Sequence, residues 1–267
     1  MTSSPQPRTT TSPAPSINHI LHTTTPVPLY VHPSCWSSSH LSLLRCTLLP
    51  LPPSSRPAPQ QPFPCPANCA HVFRRMLHAH SYPGNDLHLT VGAATVQVAP
   101  RLYVTSGSHE LPFIAYSDPE HQRAQRDLHS RGSRRPKSGL AEDTALDPFD
   151  VATMLAMAQM QADAIPGAAF YKVFLLHPLE GGIALRVLSA EVGAGYLACL
   201  KDPARPIVFD MRIYESVTVM EETGDAFLAM MRELLTAVPD VVEGMRAEEG
   251  EAGRSRKRGC VGGVGRV

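Results

Sequence analysis

No aspartate or glutamate precedes Asp86, and the only charged side chains in that stretch, with histidine neutral, are Arg8, Arg45, Arg56, Arg74 and Arg75. The whole chain is balanced, with 24 basic and 24 acidic residues in 267, so the part after residue 85 is net negative. Such a balance gives no general argument for a nucleic-acid or membrane-surface protein. There is one tryptophan, Trp36, and the lysines are Lys137, Lys172, Lys201 and Lys257 alone. No window approaches ~18 consecutive apolar residues, the length a membrane-spanning helix requires.

Chemical motifs are also missing. There is no G-x-S-x-G elbow, no phosphate-cradling G-x-x-x-x-G-K, no H-E-x-x-H and no G-x-G-x-x-G. Two residues before the four lysines stand Arg135, Phe170, Cys199 and Ser255, so the acidic-x-Lys pair of metal-dependent nucleases is absent. No catalytic residue, cofactor or metal is assigned from the sequence.

Proline is concentrated at the start, with 15 of 26 in residues 1–66 beside 19 Ser or Thr. Such a stretch buries too little apolar surface to offset the entropy of ordering its backbone. Residues 1–85 are therefore expected to be a disordered Pro/Ser/Thr/His-rich segment. A secretory signal does not fit a polar, Pro-rich start, and proline density argues against a transit helix. The composition also suits untranslated sequence, with Met76 as the alternative start. On that reading a chain begun at Met76 folds as well as the full one.

Six cysteines, at 35, 46, 65, 69, 199 and 260, suggest no disulfide framework without a signal peptide. Cys65, Cys69, His71, His78 and His80 form the one cluster with ligating side chains. Only eight residues separate Cys69 from His78, too few for an ordinary zinc-finger loop. A short amphipathic helix is the plainer reading.

Order is expected from Asp86. "LHLTVG", "ATVQVA", "RLYVTSG" and "LPFIAY" read as strands of an antiparallel meander over 87–117. Residues 118–146 read as a mobile basic loop, with Arg123, Arg126, Arg131, Arg134, Arg135 and Lys137 in its stretch 123–137. Asp147 as N-cap, Pro148 at the first position and Asp150 at the positive end then open a helix. Val151, Met154, Leu155, Ala158 and Ala162 give it one apolar face, widened by Met157 and Met160.

"AFYKVFLLH" and "IALRVLSAEV" flank the turn "PLEGG", and "VFLL" suits a strand covered on both faces. "GYLACL" reads as a short helix and "IVFDMRIYESVTV" as an alternating strand. Thr223 caps a last helix with Phe227, Met230, Met231, Leu234 and Val238 on one face. The expected fold is α+β: one two-layer domain over 86–243, an antiparallel or mixed sheet with two main helices, followed by a disordered tail over 244–267.

At "DPFDVATMLAMAQMQ", "YKVFLLHPLEGGIALRVLSAEVGAGYLACL" and "AFLAMMRELL" the chain resembles a group of uncharacterised fungal proteins. The resemblance is one of pattern over roughly 101–237 and implies the same element order. It brings no activity and no site residue.

Residues singled out for chemistry have plainer readings. His177 with Glu180 reads as an exposed turn before it reads as an acid–base couple. Gly193, Ala194 and Gly195 read as a turn before an anion site. Asp210 and Glu215 point to opposite strand faces and make no local pair. Residues 140–243 hold 16 acidic against 6 basic residues, which permits a basic protein partner and disfavours nucleic acid. The expected function is a non-catalytic interaction or structural domain. The alternatives are an enzyme whose site is not legible, and nucleic-acid contact through the basic loop 123–137. The location is expected to be intracellular, in cytoplasm or nucleus, with Arg254, Arg256, Lys257 and Arg258 as a contact for an import receptor.

Overall fold

A computed structural model describes residues 15–23, 31–50, 81–83, 87–100, 102–105, 111–117, 119–130, 146–179, 184–207 and 210–219. The expected Cys/His cluster, the Glu180 turn, the last helix from Thr223 and the tail cluster lie outside these residues, as do Arg131, Arg134, Arg135 and Lys137.

The first described elements are α1 (Ile17–Thr23), a 3-10 turn (Pro33–Cys35), α2 (Ser38–Leu43) and β1 (Cys46–Pro50). Then come β2 (Ser81–Pro83), β3 (His88–Val91), β4 (Ala94–Gln97), β5 (Leu102–Thr105) and β6 (Pro112–Tyr116). Two helices follow, α3 (Pro119–Ser130) and α4 (Pro148–Ala164). The chain continues through β7 (Phe170–Pro178), β8 (Ala184–Gly193), α5 (Ala194–Lys201) and β9 (Met211–Val219).

The fold is α+β, with a seven-stranded mixed sheet in the order β1-β9-β8-β7-β6-β5-β2. Pairs β1–β9 and β6–β7 are parallel and the others antiparallel. The parallel step arises because α3 and α4 carry the chain back between β6 and β7, as a crossover must. β3 and β4 form a separate two-stranded sheet, so the expected meander is split in two. Gly92 turns that hairpin at φ 58 and donates its amide to the Leu200 carbonyl at 2.8 Å.

α4 starts as its sequence dictates. Asp147 caps it by accepting the Phe149 amide at 2.9 Å, and Pro148 occupies the first turn. Its single apolar face does not hold as an expectation. Every residue from Pro148 to Gln159 is buried, as is Gln161. One side packs on β6 and β7; β3, α2 and the 3-10 turn lie against the rest of the helix. Helical glutamines fasten both layers. Gln161 donates to the Pro112 and Lys172 carbonyls, bridging β6 and β7.

The β7–β8 hairpin is found as expected, in continuous antiparallel register from Phe170↔Gly193 to Pro178↔Leu185. Val173, Phe174, Leu175 and Leu176 are all buried, so β7 is covered on both faces.

Two further expectations are corrected. Residues 1–85 are not wholly outside the fold: residues 15–23 and 31–50 form a strap across the domain. Ile17, Trp36, Leu41, Leu43 and Leu44 of this strap are buried in the same core as α4 and β7. Composition averaged over a Pro/Ser-rich stretch conceals these few apolar anchors, each contributing roughly 1.5–3 kcal/mol when fully buried. Basic loop 118–146 likewise contains a twelve-residue helix, α3. Its Gln122 side chain is buried. His121 on the same helix shares a 2.8 Å hydrogen bond with the Ala99 carbonyl.

Candidate functional site

Among the described residues a polar cluster sits where parallel strands β6 and β7 end and α4 begins. Ser117 follows β6 directly, and its amide donates to the Leu176 carbonyl at 2.8 Å, extending the parallel pairing. Its hydroxyl donates to Asp150 Oδ1 at 2.6 Å. Gln122, reaching across from α3, donates to the same oxygen at 2.5 Å and also bonds Ser117. His177 near the end of β7 places Nδ1 3.7 Å from Asp150 Oδ2. Arg126 of α3 pairs with Asp147, and Arg186 of β8 pairs with Glu215 of β9 at 2.6 Å.

Asp150 is the unusual member, only 1% exposed. Burial pushes its carboxyl up to about 7, helped by the charge of Asp147 and opposed by the Ser117 hydrogen bond and by Arg186 and Arg126. A carboxyl at the start of a helix normally reads as a dipole partner in water. This one is enclosed because Ser117 and Gln122, both buried, close over it from about thirty residues upstream. The sequence signal that it is special is therefore absent.

Other residues singled out from the sequence fall apart from this cluster. Asp210 pairs with Arg45 at 2.6 Å, whereas Glu215 pairs with Arg186, so the two acids have different partners. Gly193 is the N-cap of α5 with φ −66, and the Ala194 amide already donates to Ala169 at 2.9 Å, which occupies the turn's donor. Cys35, Cys46 and Cys199 are free thiols, and burial pushes Cys46 up to about 12. Among the described residues no group of three or more His, Cys, Asp or Glu converges as a metal site. Among them, too, no helix is long and apolar enough to cross a membrane.

The second feature is the β9 edge. β1 adds to it in parallel, Cys46↔Met211 through Pro50↔Glu215. Arg45 sets the strap's turn into β1 at φ 53, a left-handed conformation uncommon outside glycine. Its guanidinium donates to the Ile207 carbonyl at 2.9 Å beside the Asp210 ion pair, and its carbonyl accepts the Met211 amide at 3.2 Å. Tyr196 of α5 donates its hydroxyl to the Leu44 carbonyl at 2.7 Å. Comparison of the chain with family models, with curated proteins and with solved structures gives no match.

Proposed function

We propose that this chain is a non-catalytic interaction domain that takes extended segments at a sheet edge. The observation that carries this reading is the parallel addition of β1 to β9 by a segment remote in sequence. Strand addition of this kind supplies main-chain hydrogen bonds for affinity and side-chain pockets for selectivity. In this reading the Asp150 cluster is a clasp: its central carboxyl is sealed from solvent, and its bonds tie α3, the end of β6 and the start of α4 together. The acidic composition of residues 140–243 suits a basic protein partner.

An enzyme is the second reading, favoured by one feature. A carboxyl with a near-neutral pKa beside His177, at the ends of parallel strands, is a common setting for acid–base chemistry. Nucleic-acid contact through 123–137 is a weaker alternative, since Arg126 is already engaged by Asp147. We place the protein inside the cell, with Arg254, Arg256, Lys257 and Arg258 as an import signal. Changing all four to Ala and finding the same distribution of a tagged chain removes the import proposal.

The functional test is a thermal-shift screen of the full chain against small metabolites and nucleotides, run beside cross-linking in cell extract. The interaction reading expects no stabilising metabolite and a protein cross-linked through the β9 edge or the exposed acids. A metabolite that raises the midpoint of the wild type but not of His177→Ala overturns it in favour of the enzyme.

A further inference from the structure

We infer that the β9 edge accepts the strap of a second copy of this chain, the strap of the same chain being its exchangeable occupant. This rests on the reading of the domain as one that takes extended segments.

Topology is the first argument. Among the described strands β1 and β2 are consecutive in sequence, yet they lie on opposite edges of the seven-stranded sheet. Crossing six inter-strand spacings requires about 29 Å. Thirty residues separate Pro50 from Ser81, and a chain of that length can reach at most roughly 100 Å. The strap is therefore held at its site by its own contacts rather than by a short connection.

Those contacts are the second argument. Beyond their local bonds within the strap, Leu44 and Arg45 bond Tyr196, Ile207, Asp210 and Met211. None depends on the residues that connect strap to core, so a second copy's strap makes the same set. Charge agrees: the strap has no acid, and Arg45 meets Asp210 on an acidic domain. Two copies exchanging straps satisfy both edges at once and close as a symmetric dimer.

Concentration decides which occupant prevails. Because strap and core share one chain, the strap meets its own edge at an effective local concentration on the order of millimolar and wins in dilute solution. Exchange becomes comparable only as the chain approaches that concentration.

The test uses the full chain carrying Met211→Cys. Cys46 Sγ lies 3.9 Å from Met211 Sδ and shares its register position, so the new thiol faces Cys46. Copies labelled with 14N and 15N are mixed, oxidised with oxidised glutathione and digested, and the linked peptides 46–211 are weighed. Thr47→Cys with Arg212→Cys, an exposed register pair, repeats the measurement, since burial suppresses the Cys46 thiolate and the buried change can disturb folding. Mixed-isotope pairs are expected to be scarce at about 10 µM and to rise at least fivefold by about 1 mM. Linked peptides of a single isotope at every concentration overturn the exchange while leaving the edge addition intact. No linked peptide from either variant overturns the edge addition itself.

Discussion

Gln159 and Thr90 are joined by two hydrogen bonds of 2.8 Å, the side-chain amide accepting the Thr90 amide and donating to the Thr90 carbonyl. A helix side chain here takes the place of a neighbouring strand, giving β3 a partner on the side away from β4. Gln159→Leu keeps the volume but strands both backbone groups, at about 1–3 kcal/mol. Urea unfolding of the full chain checks this, with the loss read from the midpoint at constant slope. A change under about half a kcal/mol means the hairpin does not rely on Gln159.

The strap changes what a Met76 start means. Trp36 is 2% exposed and donates its indole N–H to the Val31 carbonyl, inside the core that α4 and β7 share. Trp36→Ala is expected to lose about 3–5 kcal/mol, a large share of a total near 5–15 kcal/mol. A chain begun at Met76 lacks all five strap anchors and is expected to melt lower than the full chain, reversing the equality expected from composition. Equal thermal midpoints for the two chains would show that the strap adds nothing to the fold.

Leu176 and Asp210 test the burial pattern of the sheet. Leu176 is fully buried in β7, and Leu176→Asp places an unpaired charge there at several kcal/mol. Asp210 is about half exposed and paired with Arg45, so Asp210→Asn should stay within about 1 kcal/mol. Similar midpoints for the two variants would contradict the assigned burial.

Those elements divide the legible from the illegible. The start of α4 was readable because Asp147 and Pro148 act within one turn, and β7 because four apolar residues in a row admit few other settings. The burial of α4 all round was not readable, because its second cover comes from residues 31–44 and from β3, far away in sequence. In the strap, the anchors Trp36, Leu43 and Leu44 are diluted by proline and serine, so composition reads as disorder. Asp150 looks like any acid in a first turn until Ser117 and Gln122 close over it. The function classes drawn from missing motifs gain no member from these distant contacts, which are mutual and mostly sealed.

Opposed titrations at Asp150 and His32 make the last prediction. Asp150 ionises near 3.8 when unfolded and about 7 when folded, so the folded state holds its proton more tightly. Its contribution is fully present below about 4 and is lost as pH rises to about 7. His32, on the strap, stacks on His129 with ring centroids 3.5 Å apart and bonds the Gln97 carbonyl. Burial first, then His129, lowers it from 6.5 to about 4. Its contribution is present above 6.5 and is lost as pH falls through about 4. Over the shared window the two slopes have opposite signs and partly cancel in the wild type. Asp150→Asn removes the falling slope, so its stability should climb more steeply than wild type between pH 4 and 6.5. His32→Asn removes the rising slope, so its stability should fall as pH rises from 4 to 7. Denaturation midpoints taken at half-unit steps separate the two. Parallel pH profiles for both variants and the wild type would show that neither group is linked to folding.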